Sequence, residues 1–498
     1  MLEKQRAVIK AMMSQQVLVT KQILDELYNK TKLEEYFNLY VLKEPHLQQV
    51  QTIPVQTIQS FNSHSVSTVS QYFEEPKKWS IQDFVQLFNS RLKTLGKLLQ
   101  TRLTNLTSIS RLKQLQNEQI SIIGIVSDKQ TTKKENIILT IEDMSGGQIK
   151  AIITKNKQEV YNNAKDIVLD EIIGISGTAG NDALFVNNII FPDIPITTEL
   201  KKSPKEEYAV ILSDVHIGSK LFLEQEFNEF IKWTQGKIGT DEQKKMAEKT
   251  EYIFIVGDLV DGVGIYPSQE KELAITDIYK QYQDAAKLLL QIPQNKKIII
   301  CPGNHDAVRI AEPQPVLPKD ICAPLWNLPN TLMLTNPSIA RIGTTTDFPG
   351  FDVLMYHGYS YDYYGNVVES IKNSGRHISD KTDLIMKFLL QKRHLAPTHT
   401  STLYIPNPKK DPLIIETVPD IFVSGHVHRA AVNTYHGVTI IVSSCFQAKT
   451  GFQEKVGHEP TPCHVPIINL QTRKVTIMNF EKTSTNQILT ENINNEHN

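Results

Sequence analysis

Five times after residue 205 of this chain, a short run of β-branched and apolar residues stops at a polar residue beside glycine. Tyr208-Ala-Val-Ile-Leu212 leads to Ser213-Asp214-Val-His216, and Tyr252-Ile-Phe-Ile-Val256 leads to Gly257-Asp258. Lys297-Ile-Ile-Ile-Cys-Pro302 leads to Gly303-Asn304-His305-Asp306. Phe351-Asp-Val-Leu-Met-Tyr356 leads to His357-Gly358, and Asp420-Ile-Phe-Val-Ser424 leads to Gly425-His426-Val427-His428. Runs this short and this continuously apolar, bounded by glycine and followed by helix-like stretches, read as buried strands of an α/β layered fold. The polar residues then fall on loops at strand carboxyl ends, where open α/β sheets bind ligands.

Those polar residues are metal-ligand types, and their chemistry suits a phosphodiester. Two cations about 3.5–4 Å apart neutralise the phosphate, acidify a water and stabilise the leaving oxygen. Imidazole nitrogen with carboxylate or amide oxygen suits manganese first, with iron, zinc, cobalt or magnesium as alternatives, whereas thiolates would favour zinc. Of Cys301, Cys322, Cys445 and Cys463, only Cys301 neighbours a candidate segment, and none forms a CxxC spacing. A reduced intracellular protein is expected. A lone Asp-x-His or Gly-Asp is common in any chain, but five such segments in one order, all at strand ends, are specific. His377, His394, His399, His436, His458 and His464 lack that context and read as surface or packing residues.

The five segments resemble those of the calcineurin-like metallophosphoesterases. Their wider context is similar to the small subunits of archaeal family-D DNA polymerases. Carrying that resemblance are Gly257-Asp-Leu-Val-Asp-Gly-Val-Gly-Ile-Tyr-Pro267, Glu272-Leu-Ala-Ile-Thr-Asp-Ile-Tyr279, Lys392-Arg-His-Leu-Ala-Pro-Thr398, Val418-Pro-Asp-Ile-Phe-Val-Ser-Gly-His-Val-His428 and Phe446-Gln-Ala-Lys-Thr-Gly-Phe-Gln453 followed by Pro460-Thr-Pro462. It covers roughly residues 80–480, and its last three strings go beyond what the chemistry asks for.

The resemblance implies a layered β-sandwich flanked by helices, and two divalent metal ions bridged by Asp258. Asp214, His216 and His428 would complete one site; Asn304, His357 and His426 would complete the other. His305 would contact the phosphate and assist the leaving 3′ oxygen, a task a histidine can perform near neutral pH. Asp306 would orient His305, or else cap the turn. Asp261 stands where related repair nucleases carry a second histidine. The implied activity is a 3′-to-5′ proofreading exonuclease on single-stranded or mismatched DNA 3′ ends. The implied partner is a large catalytic polymerase subunit in a heterodimer, with a sliding clamp reached through the complex. A non-catalytic regulatory subunit and a free DNA-repair nuclease are the alternatives.

Ahead of the phosphoesterase segments the chain changes character several times. Residues 1–45 carry apolar residues at helical spacing and read as a small helical module. Residues 46–78 are rich in Gln, Ser and Thr, with Pro54 and Pro76, and read as a flexible linker. Residues 79–117 read as a helical lead-in with Ser80 as N-cap and Phe84, Val85, Leu87, Phe88, Leu92 and Leu95 on its apolar side. Five strand runs within residues 118–195, with a helix between the third and fourth, read as an OB-fold β-barrel. The phosphoesterase domain is expected over residues 206–481. The Asn-rich tail at 482–498 reads as disordered and holds no clear clamp motif.

Composition limits how such a chain would meet DNA. It has 53 basic and 54 acidic residues in 498, a net charge of −1, so a whole-surface electrostatic grip is excluded. A local patch, the metals or another chain must supply the affinity, and Arg376, Lys392, Arg393 and Arg429 are the local candidates. The barrel segment offers only Tyr161, Phe185 and Phe191 as stacking aromatics, which favours a scaffold role. No apolar run approaches the ~18 residues of a membrane span, and no signal-peptide core is present. A cytoplasmic protein without a membrane partner is expected.

Overall fold

The computed structural model of the chain describes residues 66–73, 77–196, 200–481 and 489–493. The chain divides into the units Met1–Ser60 and Phe61–Asn498, and the described residues all belong to the second. The helical module read at 1–45 lies outside the described residues. So does most of the linker, but Val66–Ser70 within it forms a strand, β1, antiparallel to Ser338–Ile342. The folded unit therefore begins earlier than residue 78. The sequence has no strong strand alternation there, and the pairing comes from a distant edge.

Helix α1 (Ile81–Gln100) starts where expected: the Ser80 backbone N–H donates to Asp83 Oδ2 at 2.8 Å. Its buried stripe is Leu87, Arg91, Leu92, Leu95 and Leu99. Val85, read as apolar-facing, is 44% exposed, because it stands two residues, about 200° of helix, from Leu87. Strands β2 (Gln119–Thr131), β3 (Ile137–Glu142), β4 (Gln148–Ile153), β5 (Ile172–Ala179) and β6 (Ala183–Ile190) close a barrel in the order β2-β3-β4-β6-β5. Helix α2 (Gln158–Lys165) joins β4 to β5. Alternate residues such as Ile120, Ile122, Leu139, Ile141, Ala151 and Ile153 fill the interior, which is the OB-like arrangement expected.

After the barrel, two stacked sheets are built from strands β7 (Tyr208–Leu212), β8 (Thr250–Val256), β9 (Lys297–Cys301), β10 (Thr331–Met333), β11 (Ser338–Ile342), β12 (Phe351–Met355), β13 (Ile421–Ser424), β14 (Ala431–Tyr435), β15 (Val438–Val442), β16 (His464–Asn469), β17 (Val475–Asn479) and β18 (Leu489–Ile493), with β1 added at one edge. One sheet runs β10-β9-β8-β7-β16-β17-β18 and the other β1-β11-β12-β13-β15-β14. Strands β7 to β10 are mutually parallel, as are β12, β13 and β15. The tail read as disordered contributes β18, paired antiparallel with β17.

Both faces of the central strands are buried, which is why their sequences are continuously apolar. On β8, Tyr252, Phe254 and Val256 meet Val353, Met355, Val423 and Ile441 of the other sheet. Ile253 and Ile255 point the opposite way, onto Phe227, Phe230 and Ile231 of helix α3 (Glu224–Thr234) and Tyr282, Ala285 and Leu289 of helix α4 (Ile278–Leu289). The second sheet's outer face, with Leu354, Phe422 and Ile440, is covered by helices α5 (Tyr361–Val367) and α6 (Thr382–Lys392). Each such large apolar side chain contributes about 1.5–3 kcal/mol when fully buried. This sandwich fixes the parallel strands of both sheets, and the site lies on the loops at their carboxyl ends. Among the described residues no helix is long and apolar enough to cross a membrane.

Candidate metal centre

Each parallel strand passes directly into its polar loop, and the loops turn sharply. Asp214, His216, Asp258, His426 and His428 all have φ between 51° and 72°. For residues with a Cβ this left-handed region is costly, and such residues concentrate at functional sites. The loops also approach closely: a Cβ on Gly303 would lie 2.2 Å from Asp258 Oδ1. Only glycine admits that carboxylate.

The seven residues read as ligands come together in two overlapping groups. In the first, Asp214 Oδ1 lies 3.4 Å from His428 Nε2 and 4.0 Å from His216 Nε2, and the two Nε2 atoms are 3.1 Å apart. In the second, His357 Nε2 lies 3.2 Å from Asp258 Oδ2 and 3.0 Å from Asn304 Oδ1. The His426 ring stands 5.2 Å from that of His357, and its backbone N–H donates to Asp214 Oδ2 at 2.9 Å. Asp214, His216, Asp258, His357 and His428 are buried, while Asn304 and His426 are partly exposed.

What surrounds the donors sets their orientation. His216 Nδ1 donates to Asp261 Oδ1 at 3.0 Å, and His357 Nδ1 donates to the Val256 carbonyl at 2.8 Å. Both rings therefore turn an Nε2 lone pair inward, toward other electron-rich atoms. Asp214 Oδ1 is buried without a hydrogen bond. Lone pairs this close repel unless a proton or a cation lies among them. Divalent cations fit this donor set of imidazoles, carboxylates and one amide oxygen.

The titration of these groups reports the same crowding. Burial pushes the Asp214 carboxyl up, but His428 and His357 outweigh it and hold the group at about 2. Burial likewise opposes ionisation of Asp258, and His357 and His305 bring it well below the carboxylate range. Burial lowers His357, yet Asp258 and Asp214 raise it to about 10. Burial, with His357 nearby, lowers His426 to about 4, and Asp362, 4.0 Å away, only partly opposes it.

Several supporting residues were not legible in the sequence. Asp261 accepts from His216 and also from Gln447 Nε2 at 3.0 Å and Gln269 Nε2 at 3.1 Å. It is thus the carboxylate that orients the candidate ligand His216, an arrangement common at metal sites. Gln453, at the start of helix α7 (Gly451–Val456), lies 2.8 Å from His428 Nδ1, and Thr450 N–H holds its Oε1. The string 446–453, which the chemistry had not called for, therefore holds the site through Gln447 and Gln453.

Two readings are corrected by the geometry. Asp306 does not orient His305: its carboxylate accepts from Gly303 N–H, Leu259 N–H and the Tyr282 hydroxyl, bracing the loop. Instead, His305 Nδ1 donates to the Asp261 carbonyl at 2.8 Å, and the His305 N–H donates to Asp258 Oδ1. The basic candidates for a DNA patch are also engaged. Buried Lys392 pairs with buried Glu171 at 2.8 Å, and buried Arg393 donates to the Ile415 and Glu416 carbonyls. Arg376 pairs with Asp383 and Arg429 with Asp380.

Comparison with known proteins agrees with this geometry. Residues 209–430 match the family model described as calcineurin-like phosphoesterase, a family that implies divalent metals. The DNA polymerase II small subunit of Methanothermobacter thermautotrophicus is 37% identical over 79% of this chain and 79% of its own. That of Archaeoglobus fulgidus is 38% identical over 78% of this chain and 75% of its own. That of Pyrococcus furiosus is 36% identical over 79% of this chain and 63% of its own. With a calcineurin-like phosphoesterase domain behind an OB-like barrel, and relatives this similar over most of both chains, the protein belongs to the family of archaeal DNA polymerase II small subunits.

Proposed function

We propose that this subunit is a 3′-to-5′ exonuclease that removes nucleotides from single-stranded or mismatched DNA 3′ ends during replication, in the cytoplasm, bound to a large catalytic polymerase subunit. One observation carries the reading: donor atoms of Asp214, His216, Asp258, Asn304, His357 and His428, from five separate loops, converge on one another, with the His426 ring beside that of His357. Two divalent cations, manganese in first place, would be held here, with Asp258 among their ligands. Asp214, His216 and His428 would hold one; Asn304, His357 and His426 would hold the other. The ions would supply charge neutralisation of the phosphodiester and an acidified water.

The chain's own residues do the rest. His305 is half-buried and spends its Nδ1 proton on the Asp261 carbonyl, so Nε2 faces the open side of the centre. Because the Asp261 carbonyl keeps a proton on Nδ1, it is the imidazolium form of His305 that acts: as water adds to phosphorus and the P–O3′ bond breaks, its Nε2 proton passes to the leaving 3′ oxygen, and the proton released by the attacking water restores the imidazolium. Asp261 ties the two halves of this arrangement together, its carboxylate on His216 and its carbonyl on His305.

The DNA is expected to reach the site with the large subunit. Of the three barrel aromatics only Phe185 is well exposed, while Tyr161 and Phe191 are buried. This supports a scaffold role for the barrel rather than a stacking platform. In the test, the full chain with its large subunit and manganese is given oligonucleotides with paired or mismatched 3′ ends. Shortening from the 3′ end is expected, and His305→Ala should reduce it by about 10²–10⁴-fold with metal content unchanged. Full activity in that variant would remove His305 from the reaction. No degradation under any divalent metal would instead assign the chain to a regulatory role.

A further inference from the structure

The string Gly262-Val-Gly-Ile-Tyr-Pro267 has no part in holding the metal donors, yet it is built onto the centre with unusual care. Gly262 N–H donates to Gln281 Oε1 at 2.9 Å, and Gln281 Nε2 returns a bond to the Gly262 carbonyl at 3.0 Å. Ile265 N–H donates to Gln269 Oε1 at 2.9 Å, while Gln269 Nε2 donates to the Asp261 carbonyl and carboxylate. Both glutamines are fully buried. Gly262, at φ 74°, passes so near the His305 backbone that a Cβ would lie 2.1 Å from the His305 carbonyl. The loop is thus fixed to both His216 and His305 through Asp261.

On this fixed loop stands an exposed aromatic ring. Tyr266 is 38% exposed, its hydroxyl donates to Glu272 Oε2 at 2.9 Å, and its ring centroid is 6.3 Å from that of His305 at 67°. A partly exposed aromatic side chain forgoes burial energy, and pinning its loop and hydroxyl removes the freedom that would compensate. A ring held rigidly and left partly open to solvent is instead what a nucleobase requires. Stacking on it needs no ordering of the protein and accepts every base, since each has a π-face.

Resting on the exonuclease reading, we infer that Tyr266 is the stacking surface for the base of the 3′-terminal nucleotide whose phosphodiester His305 serves. Only an unpaired base can leave its helix to reach the ring. Tyr266 would thereby select single-stranded and mismatched ends without reading sequence.

The test is a cycle between protein and substrate, using the full chain with its large subunit and manganese. Two oligonucleotides are compared, one with a normal 3′-terminal nucleotide and one whose terminal nucleotide lacks its base. Tyr266→Ala should lower kcat/KM on the first by about ten-fold or more, bringing it toward the value for the second, while Tyr266→Phe should keep the discrimination. Equal losses on both substrates, or equal effects of the two substitutions, would overturn the inference. A separate reading uses 2-aminopurine at the 3′ end, bound to the His305→Ala variant: its fluorescence should be quenched with Tyr266 present and recover on adding Tyr266→Ala. If the unmutated complex cleaves neither oligonucleotide, the exonuclease reading fails, and quenching alone decides the stacking: unchanged quenching in the double variant refutes it.

Discussion

Two buried clusters of charged and polar groups in this molecule are resolved in different ways. At the junction between α1, the barrel and the phosphoesterase layers, Arg91 is wholly buried. It donates to Asp411 Oδ2 at 2.7 Å and to the Asp170 and Pro397 carbonyls, while Asp411 also faces His394 Nε2 at 2.9 Å. Lys392 and Glu171 form a second buried pair there, with Lys392 over the Phe191 ring. Positive groups meet negative groups, and burial of the charges is offset within the protein. At the metal centre the protein brings together groups that need a further cation. The junction spends its polar groups on structure; the centre keeps its lone pairs for something the chain does not provide. The strings 392–398 and 446–453, neither of which the chemistry demands, divide between these two tasks.

The largest expected effect breaks the junction. Asp411→Ala leaves Arg91 buried without its carboxylate and should cost about 3–5 kcal/mol, measured by chemical denaturation. Asp258→Asn at the metal centre should abolish hydrolysis while costing the metal-free protein less stability, because the amide oxygen still accepts from the His305 N–H and His357 can release its proton once the neighbouring charge is gone. Equal destabilisation by both would erase the contrast.

Next in size is the response to metal. Manganese at 100 to 1,000 times its dissociation constant should stabilise the protein by about 2.7–4.1 kcal/mol, read as a rise in Tm that chelation reverses. Asp411→Ala should keep this increment and Asp258→Asn should lose most of it. No manganese-dependent shift in the unmutated protein would mean that the converging lone pairs do not bind the ion.

Smaller again is the effect of the residue that aims a ligand. Asp261→Asn should weaken metal binding by about 10–100-fold with little change in fold stability, measured by calorimetric titration. An unaltered affinity would reduce Asp261 to a loop brace.

The smallest effect is on pH. Burial, with Arg91 nearby, lowers His394 from its ordinary value to about 4. The folded protein then binds fewer protons than the unfolded chain between about 6.5 and 4, so this contribution is complete above that window and lost as pH falls through it. From pH 7.5 to 6 the loss should be under about 1 kcal/mol. Denaturation of the protein and of His394→Asn at both values checks it, and an identical pH dependence in the two would remove His394 as the cause.

The candidate site was legible because its residues obey a local rule. Each strand is a continuous apolar run that must be buried on both faces, and each ends in glycine plus ligand types, so Asp214, Asp258, Asn304, His357 and His426 could be located within their loops. The barrel was legible from its alternation. Asp261 was visible as a departure from a pattern, but its bond to His216 was not. Gln269, Gln447 and Gln453 carry no chemical signature, because a glutamine amide is as common on a surface as beside a metal ligand. Lys392 and Arg393 were misread for the same reason: a basic residue at the end of a helix looks solvated until its distant partner is known.

By itself, then, the sequence determined the barrel and sandwich strands, the phosphoesterase fold and the candidate donors, since strand period, turn glycines and ligand types act over a few neighbouring residues. The tertiary structure alone decided which donors share a group, that Asp306 braces while Asp261 orients, that Val66–Ser70 and Leu489–Ile493 join the sheets, and that the basic candidates are engaged in ion pairs and hydrogen bonds. These depend on pairings between residues far apart in the chain, and a hydrogen bond of 3 Å has no trace in local sequence when its partner lies up to 320 positions away.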